Sequence, residues 1–379
     1  MNHKKLSSVL VALLATASAF VPLGTADAAY RFSDFQGRPP VHVYKSAQLK
    51  PSGVSPAEIK KVYNLPATGG KGTIAIIDAY DDPNMESDLA VFDKQYNLPA
   101  CTAANGCFEK HKMASSTASD SGWAMETSLD VEWAHAIAPT AKILLVEAKT
   151  PSGANLLSAI DYATSRKDVI AISMSWGGAE FSDELSYDTH FVDKANPAAA
   201  FFASSGDDGA GASWPASSPN VIGVGGTSLA LASSGALIAE SAWSGSGGGV
   251  SAYEKEPVWQ TAYKISKAGG MRAIPDVSYD ADPASGYSIY ITTGTVAKAK
   301  GAWDTVGGTS AGAPQWAAIQ ALGGSAVLAR FYSDKASTST LKYFRDITSG
   351  SNGACAYYCD ARKRYDYVTG LGSPQTTKF

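Results

Sequence analysis

The sequence predicts an α/β fold in three layers, with a mostly parallel central sheet covered by helices on both faces. Three observations carry this. Apolar runs of strand length recur between stretches of helical spacing. The runs are continuous rather than alternating, as strands buried on both faces require. The short polar and glycine-rich segments that could hold chemistry fall just after those runs, where ligands sit in open parallel sheets.

The elements follow in order. Residues 1–28 combine Lys4 and Lys5 with an apolar stretch broken by Pro22 and Gly24, then a small-residue Ala26-Asp27-Ala28 site. That is the pattern of a cleaved secretory signal; as a membrane anchor the run is short of the ~20 apolar residues a span needs. Residues 29–54 are polar, proline-containing and without period, and read as an extended arm. Ser55, Pro56 and Glu58 stand in capping-box order at the start of a short helix. "GTIAIID" (72–78) is a strand, 84–97 a helix, 121–139 a helix stopped by Pro139 and 141–148 a strand. Residues 154–166 read as a helix, 168–176 as a strand, 182–195 as a helix, and 198–206 and 220–226 as strands. No linker or repeat interrupts 55–379, so one domain is expected there.

Composition narrows the function. The net charge is −4 and no basic stripe with interleaved aromatics occurs, which argues against nucleic acid. No segment after the first 28 residues could span a membrane, so a secreted protein, taken as a monomer, is expected. The four cysteines suit an oxidising compartment. Cys101 and Cys107 bracket a turn-rich loop and Cys355 and Cys359 bracket "AYY", so local pairing is the simplest of three connectivities. A zinc site is the weaker alternative, since CxxC spacing is absent and no histidine lies near either pair.

Chemistry is suggested first by "GGTSAGAP" (307–314), where Ser310 stands at the start of a helical run. A helix N-terminus offers free N–H groups and partial positive charge to a developing oxyanion, so Ser310 is read as a nucleophile rather than a plain N-cap. None of His3, His42, His111, His135 and His190 stands at a helix start of the type a histidine base needs, and His135 reads as an ordinary surface or half-buried residue. Carboxylates are better candidates. Glu126 and Asp130 lie four apart in "METSLDVEW" and share a helix face. Two close carboxyls resist double ionisation and titrate as a unit, one serving as base at acidic pH. The plain alternative is a solvated helix face. Asp207 in "SSGDDG" reads by itself as a turn residue, although a protonated Asp there could donate to an oxyanion.

Together, "METSLD", "SMSWGG", "SSGDDG", "WPASSPNVIGVGGTSL" and "GTSAGAP" resemble the sedolisin family, the serine-carboxyl peptidases, over nearly all of 55–374. The resemblance implies a subtilisin-like fold and a secreted serine-type endopeptidase working at acidic pH on polypeptide substrates. It implies Ser310 as nucleophile, Glu126 as general base and acid, Asp130 as its partner and Asp207 as the oxyanion-hole acid. Asp78 and Trp176 match positions that extend the hydrogen-bond network. Ser175, Gly177 and Gly248 would line the substrate cleft, where extended substrate pairs with backbone. The family's calcium site would fall on Asp346, the Ile347 carbonyl, Asp366 and the carbonyls of Arg362 and Arg364, where the family usually has glycines. Relatives carry a long N-terminal prodomain; 29–54 leaves no room for one, so self-inhibition by a prodomain is not expected. A tripeptidyl-peptidase mode, a neutral histidine-dependent protease and a non-catalytic secreted binding protein are the alternatives.

Overall fold

The computed structural model describes residues 30–115, 117–293, 301–333 and 343–377; the signal-like segment lies outside them. At its centre is an eight-stranded sheet. Its order runs from Leu237–Ala242 through Ile222–Leu231, Ala200–Ser204, Val169–Met174, Thr73–Ala79 and Lys142–Ala148 to Phe108–Lys112, with Val277–Asp280 also pairing with Ile222–Leu231. Every pairing is parallel except that of Leu237–Ala242. Thr73–Ala79 is buried at every residue, as the continuous apolar run requires of a central strand.

Two hydrophobic layers enclose this sheet. On one side Leu129, Trp133 and Ile137 of the Ser121–Ile137 helix pack with Trp316 and Ile319 of the Gly312–Ala321 helix against Ile74 and Ile76. On the other, Leu156, Leu157 and Ile160 of the Gly153–Thr164 helix pack against Ala75, Ile77, Leu144 and Val146. The alternation of side chains along a strand sends Ile74 and Ile76 to one layer and Ala75 and Ile77 to the other.

Local signals hold where the chemistry is local. Ser55 accepts from the Glu58 amide while Glu58 reaches back to the Ser55 amide, closing the capping box of Pro56–Val62. The Cys101–Cys107 and Cys355–Cys359 bridges are both formed, so the local pairing is the one adopted. The helix expected over 182–195 is instead a 3-10 segment, Glu184–Phe191, in which only Glu184 and Phe191 are buried. With no apolar stripe to bury, nothing there favours a regular α-helical face. The arm also differs from expectation. His42–Gln48 forms a strand antiparallel to Ala302–Gly307, which in turn pairs with Tyr287–Ile291.

Candidate active site

The functional candidates gather at the carboxyl ends of the central strands. Asp78 lies near the end of Thr73–Ala79, Ser175 directly after Val169–Met174, and Asp207 three residues after Ala200–Ser204. The strand Ala302–Gly307 delivers Gly308 and then Ser310, in a 3-10 turn that leads into the Gly312–Ala321 helix. Gly308 has φ +135°, and a Cβ there would lie 2.0 Å from the Pro40 carbonyl oxygen and 2.5 Å from Asp207 Oδ2, so glycine is required.

The Ser121–Ile137 helix brings the carboxylates in. Its N-cap Asp120 accepts from the amides of Gly122 and Trp123, which sets its start. Glu126 and Asp130 are both fully buried, so the solvated-face reading fails. Glu126 faces Asp78, Ser310 and Asp130. Burial, then the charge of Asp78, pushes the Glu126 carboxyl well above its usual range, while the Ser310 hydroxyl and Asp130 pull it back. Asp130 is likewise raised well above its usual range, by burial and then by Asp78 and Glu126. The two carboxyls are neighbours and both are raised, so the pair resists double ionisation and titrates as a unit. Asp78, fully buried beside the Thr127 hydroxyl, is pushed up to about 7 by desolvation. Neither Glu126 oxygen nor Ser310 Oγ closes a conventional hydrogen bond among the described residues. Catalytic contacts commonly stay long until substrate binds.

Asp207 is held differently. Its Oδ1 accepts from the Thr309 amide at 2.8 Å and from Thr309 Oγ1 at 2.7 Å. Its other oxygen lies 3.1 Å from His42 Nε2. Burial raises its pKa, and His42 and Thr309 oppose that rise. Asp207 is therefore more than a turn residue: it is a buried carboxyl fixed one residue from the nucleophile candidate.

Three expected positions take other roles. Ser175 is fully buried, and its hydroxyl lies 2.9 Å from Asp130 Oδ1 and 3.2 Å from the Ser310 carbonyl oxygen, so it braces the carboxylate instead of lining a cleft. Trp176 donates its indole N–H to the Ile77 carbonyl at 2.9 Å, bypassing the carboxylate chain and fixing the backbone that precedes Asp78. Gly248 exchanges both backbone hydrogen bonds with Gly211 and packs against the Tyr367 carbonyl, so its backbone cannot also pair with substrate. Gly177 does present its edge to an extended chain, but that chain is the arm: Arg38 N–H donates to the Gly177 carbonyl at 3.0 Å and Gly177 N–H to the Arg38 carbonyl at 3.2 Å.

The histidines are placed as follows. His135 is fully buried, contrary to expectation, bonded to the Pro99 carbonyl and pushed down to about 4 by desolvation. His111 stacks on Tyr162 and His190 pairs with Asp161. His42 meets Asp207, a contact that no sequence pattern announced. Thr309, Thr127 and Ser175 were likewise missed as carboxylate partners; only the adjacency of Thr309 to Ser310 pointed to any of them.

Of the calcium candidates, the Arg362 amide sits 2.9 Å from Asp366 Oδ2 and the Arg364 amide contacts both Asp346 oxygens, at 3.0 and 2.9 Å. One loop thus strings the two carboxylates together, presenting amides to them. Arg364 has φ +69°, the conformation that glycine favours. Burial pushes Asp366 up to about 7, although the amides of Arg362, Thr369 and Val368 lower it. The carboxyl oxygens of Asp346 and Asp366 are of the hard type calcium takes, but here they accept backbone amides of the same segment.

The fold thus brings a serine at a helix start together with a set of buried carboxyls. A model of the subtilase family matches residues 111–342, and the chain belongs to that family, in its sedolisin branch. It is 29% identical to sedolisin of Pseudomonas sp. (strain 101), covering 86% of this chain and 60% of that protein. It is 31% identical to kumamolisin of Bacillus sp. (strain MN-32), covering 87% and 63%. Tripeptidyl-peptidase 1 of Dictyostelium discoideum is 27% identical, covering 85% and 57%. The chain thus spans about three fifths of the length of these relatives. Among solved structures, Pseudomonas sedolisin, a serine-carboxyl proteinase complexed with pseudo-iodotyrostatin, superposes with TM-score 0.72 at 28% identity, covering 87% of this chain and 96% of that one. Among the described residues, no helix is long and apolar enough to cross a membrane.

Proposed function

We propose that this chain is a secreted serine-carboxyl peptidase that cleaves polypeptides at acidic pH through an acyl-enzyme on Ser310. The observation that carries the reading is the fully buried set Asp78, Glu126 and Asp130, with Glu126 facing Ser310, and Asp207 gripped by Thr309, the residue before Ser310. Glu126 takes the Ser310 proton as Oγ attacks the substrate carbonyl carbon. Asp130, protonated and braced by Ser175, holds Glu126 in place. Asp207, protonated, donates to the oxyanion, as a carboxylic acid kept neutral can. Glu126 then passes its proton to the leaving amine, and the acyl–Oγ ester is hydrolysed by water that Glu126 deprotonates.

Acidic operation is inferred from Asp207. Asp207 must keep its proton to donate, and burial raises its pKa toward that end. Endopeptidase action is the default. The tripeptidyl-peptidase relative keeps the exopeptidase mode as the second reading. Residues 1–28 are read as a signal and the two disulfides fit export. From Ser55 onward the chain is read as a single, monomeric peptidase domain. Calcium is read as structural, held by Asp346, Asp366 and carbonyls of Ile347, Arg362 and Arg364; as a bound cation it would draw the two carboxyls together and favour their ionised forms.

The test is cleavage of a denatured protein across about pH 3 to 8, comparing wild type with Ser310→Ala and Glu126→Gln. Each variant is expected to lose at least ~10³-fold in kcat, because nucleophile and base act as a unit. Activity at neutral pH that survives Glu126→Gln would overturn the mechanism.

A further inference from the structure

A carboxyl that is to donate to an oxyanion must be held within hydrogen-bond reach of one atom. The glycine-rich turn that carries Asp207 is pinned on both sides. Before it, the Gly206 amide donates to Thr309 Oγ1 at 3.1 Å, and the Gly206 carbonyl accepts from the Gly247 amide at 2.7 Å. After it, the Gly209 amide donates to the Gly245 carbonyl at 2.9 Å and the Ala210 amide to the Asn352 carbonyl at 3.2 Å. Gly209 has φ +77°, and a Cβ there would lie 2.6 Å from that same Asn352 oxygen, so the turn and residue 352 are in close contact.

Asn352 is buried, and further bonds tie it in place. Its Nδ2 donates to the Ser246 carbonyl at 2.7 Å. Ser246 Oγ in turn accepts from the Gly226 amide and donates to the Val368 carbonyl, each at 2.8 Å. The Asn352 amide donates to the Cys359 carbonyl at 3.0 Å, and the Ala361 amide to the Gly350 carbonyl at 3.0 Å. The Cys355–Cys359 bridge closes the loop between these two rungs. A Cβ at Gly353 would lie 2.9 Å from Cys359 Sγ and 3.7 Å from the Ala210 Cβ, so the bridge and the Asp207 turn flank the same spot.

We propose that Asn352 is a positioning residue for Asp207, set in place by the Cys355–Cys359 bridge. The proposal rests on the peptidase reading only for the catalytic role of Asp207. Just two residues, Asp207 and Asp208, lie between the pinned Gly206 and Gly209. Gly206, Gly209 and Gly211 all have positive φ and no side chain to pack, so the shape of the turn is imposed by its neighbours. Asn352 supplies that shape from one residue. Its carbonyl holds the turn, its side chain holds Ser246 in the adjoining loop, and its amide is held by Cys359. The adjoining loop bonds the turn through Gly245, Gly247 and Gly248, so the three segments are set together. Removing the Nδ2 donor leaves the buried Ser246 carbonyl without that partner, and removing the bridge frees the Cys359 carbonyl to leave the Asn352 amide. Either change lets Asp207 drift from where the oxyanion forms.

Asn352→Asp is the informative variant. Protonated, the new carboxyl can donate to the Ser246 carbonyl as Asn352 does; ionised, it sets two acceptors face to face. Hydrogen exchange is read in the full chain carrying Ser310→Ala, which cannot cut itself, on peptides covering 205–211 and 73–79. Relative to that parent at the same pH, protection of 205–211 in Asn352→Asp is expected to be near equal at about pH 4 and about tenfold lower at about pH 7.5, while 73–79 is unchanged. Cys355→Ser with Cys359→Ser should lower protection of 205–211 at both values. If Asn352→Asp also exposes 73–79, the cysteine variant decides. The second readout restores Ser310 and uses a peptide aldehyde, whose hemiacetal oxygen takes the place of the oxyanion. In the cysteine variant its Ki is expected to rise about tenfold while KM for a peptide substrate stays within about twofold, a split that a smaller folded fraction would not produce. Turn protection that matches the parent in both variants, or an unchanged Ki with a loosened turn, would overturn the proposal. A chain that cleaves nothing and binds no aldehyde while the exchange behaves as expected would sink the peptidase reading and leave the tether standing.

Discussion

Glu126 and Asp130 share a helix face in many possible structures, but here burial changes what the pair can do. In water two carboxylates at that spacing only repel mildly. Buried together with Asp78, they cannot all ionise, which is what the proposed role of Glu126 as base draws on. Asp78 raises both partners through its charge. Replacing it with Asn removes that charge and nearly preserves shape. The acid limb of the kcat/KM profile is therefore expected to move to lower pH, because Glu126 then ionises more readily. An unmoved limb would show that Asp78 is not coupled to the base. The role of Asp207 was the hardest to see in sequence, since Gly-Asp-Asp-Gly is ordinary turn chemistry. What distinguishes it is the Thr309 grip from 102 residues away, which no local pattern contains.

Among the elements, those that read correctly from sequence are the ones whose signal is periodic or local. The capping box at Ser55 and the fully apolar run at 73–79 needed no distant partner to be legible. The strand Phe108–Lys112 was not: its residues are mostly polar, and it is a strand because the Lys142–Ala148 edge pairs with it. The arm strand His42–Gln48 is largely exposed and has no apolar alternation, so only its partner Ala302–Gly307 defines it. The 362–364 loop is a third case, in which two carboxyls 20 residues apart in sequence, Asp346 and Asp366, are joined by intervening amides. If calcium holds this loop, a chelator should lower the thermal midpoint by several degrees, since ligand bound only to the folded state stabilises it. Asp366→Asn should lower the midpoint and abolish the chelator response. A midpoint indifferent to chelator in the wild type would remove calcium from the account.

For the molecule as a whole, the buried carboxyls make stability depend on pH in an uncommon direction. Asp78 is pushed up to about 7, and Glu126, Asp130 and Glu132 are all raised by burial. A raised carboxyl pKa means the folded state binds protons that the unfolded chain has lost. Between about pH 4 and the folded-state values the unfolded state binds fewer protons, so unfolding free energy falls as pH rises. The thermal midpoint is expected to decline from about pH 5 to about pH 8, and to decline less in Glu126→Gln. A midpoint that rises over that interval would contradict the assigned shifts. Such a chain is built to be most stable where its chemistry is proposed to operate.

Hydrophobic periodicity and turn chemistry are properties of short segments, so the parallel sheet, its helices and the candidate residues Ser310, Glu126 and Asp130 could be read along the chain. Burial, charge coupling and competition for a backbone edge are not properties of segments. Whether Gly248 faces substrate or Gly211, whether Trp176 bonds a carboxylate or the Ile77 carbonyl, and whether the arm is free or seated on Gly177 depend on which distant groups reach those atoms first. Packing settled each of these, because a buried polar group must find a partner and takes the one that the fold brings within reach.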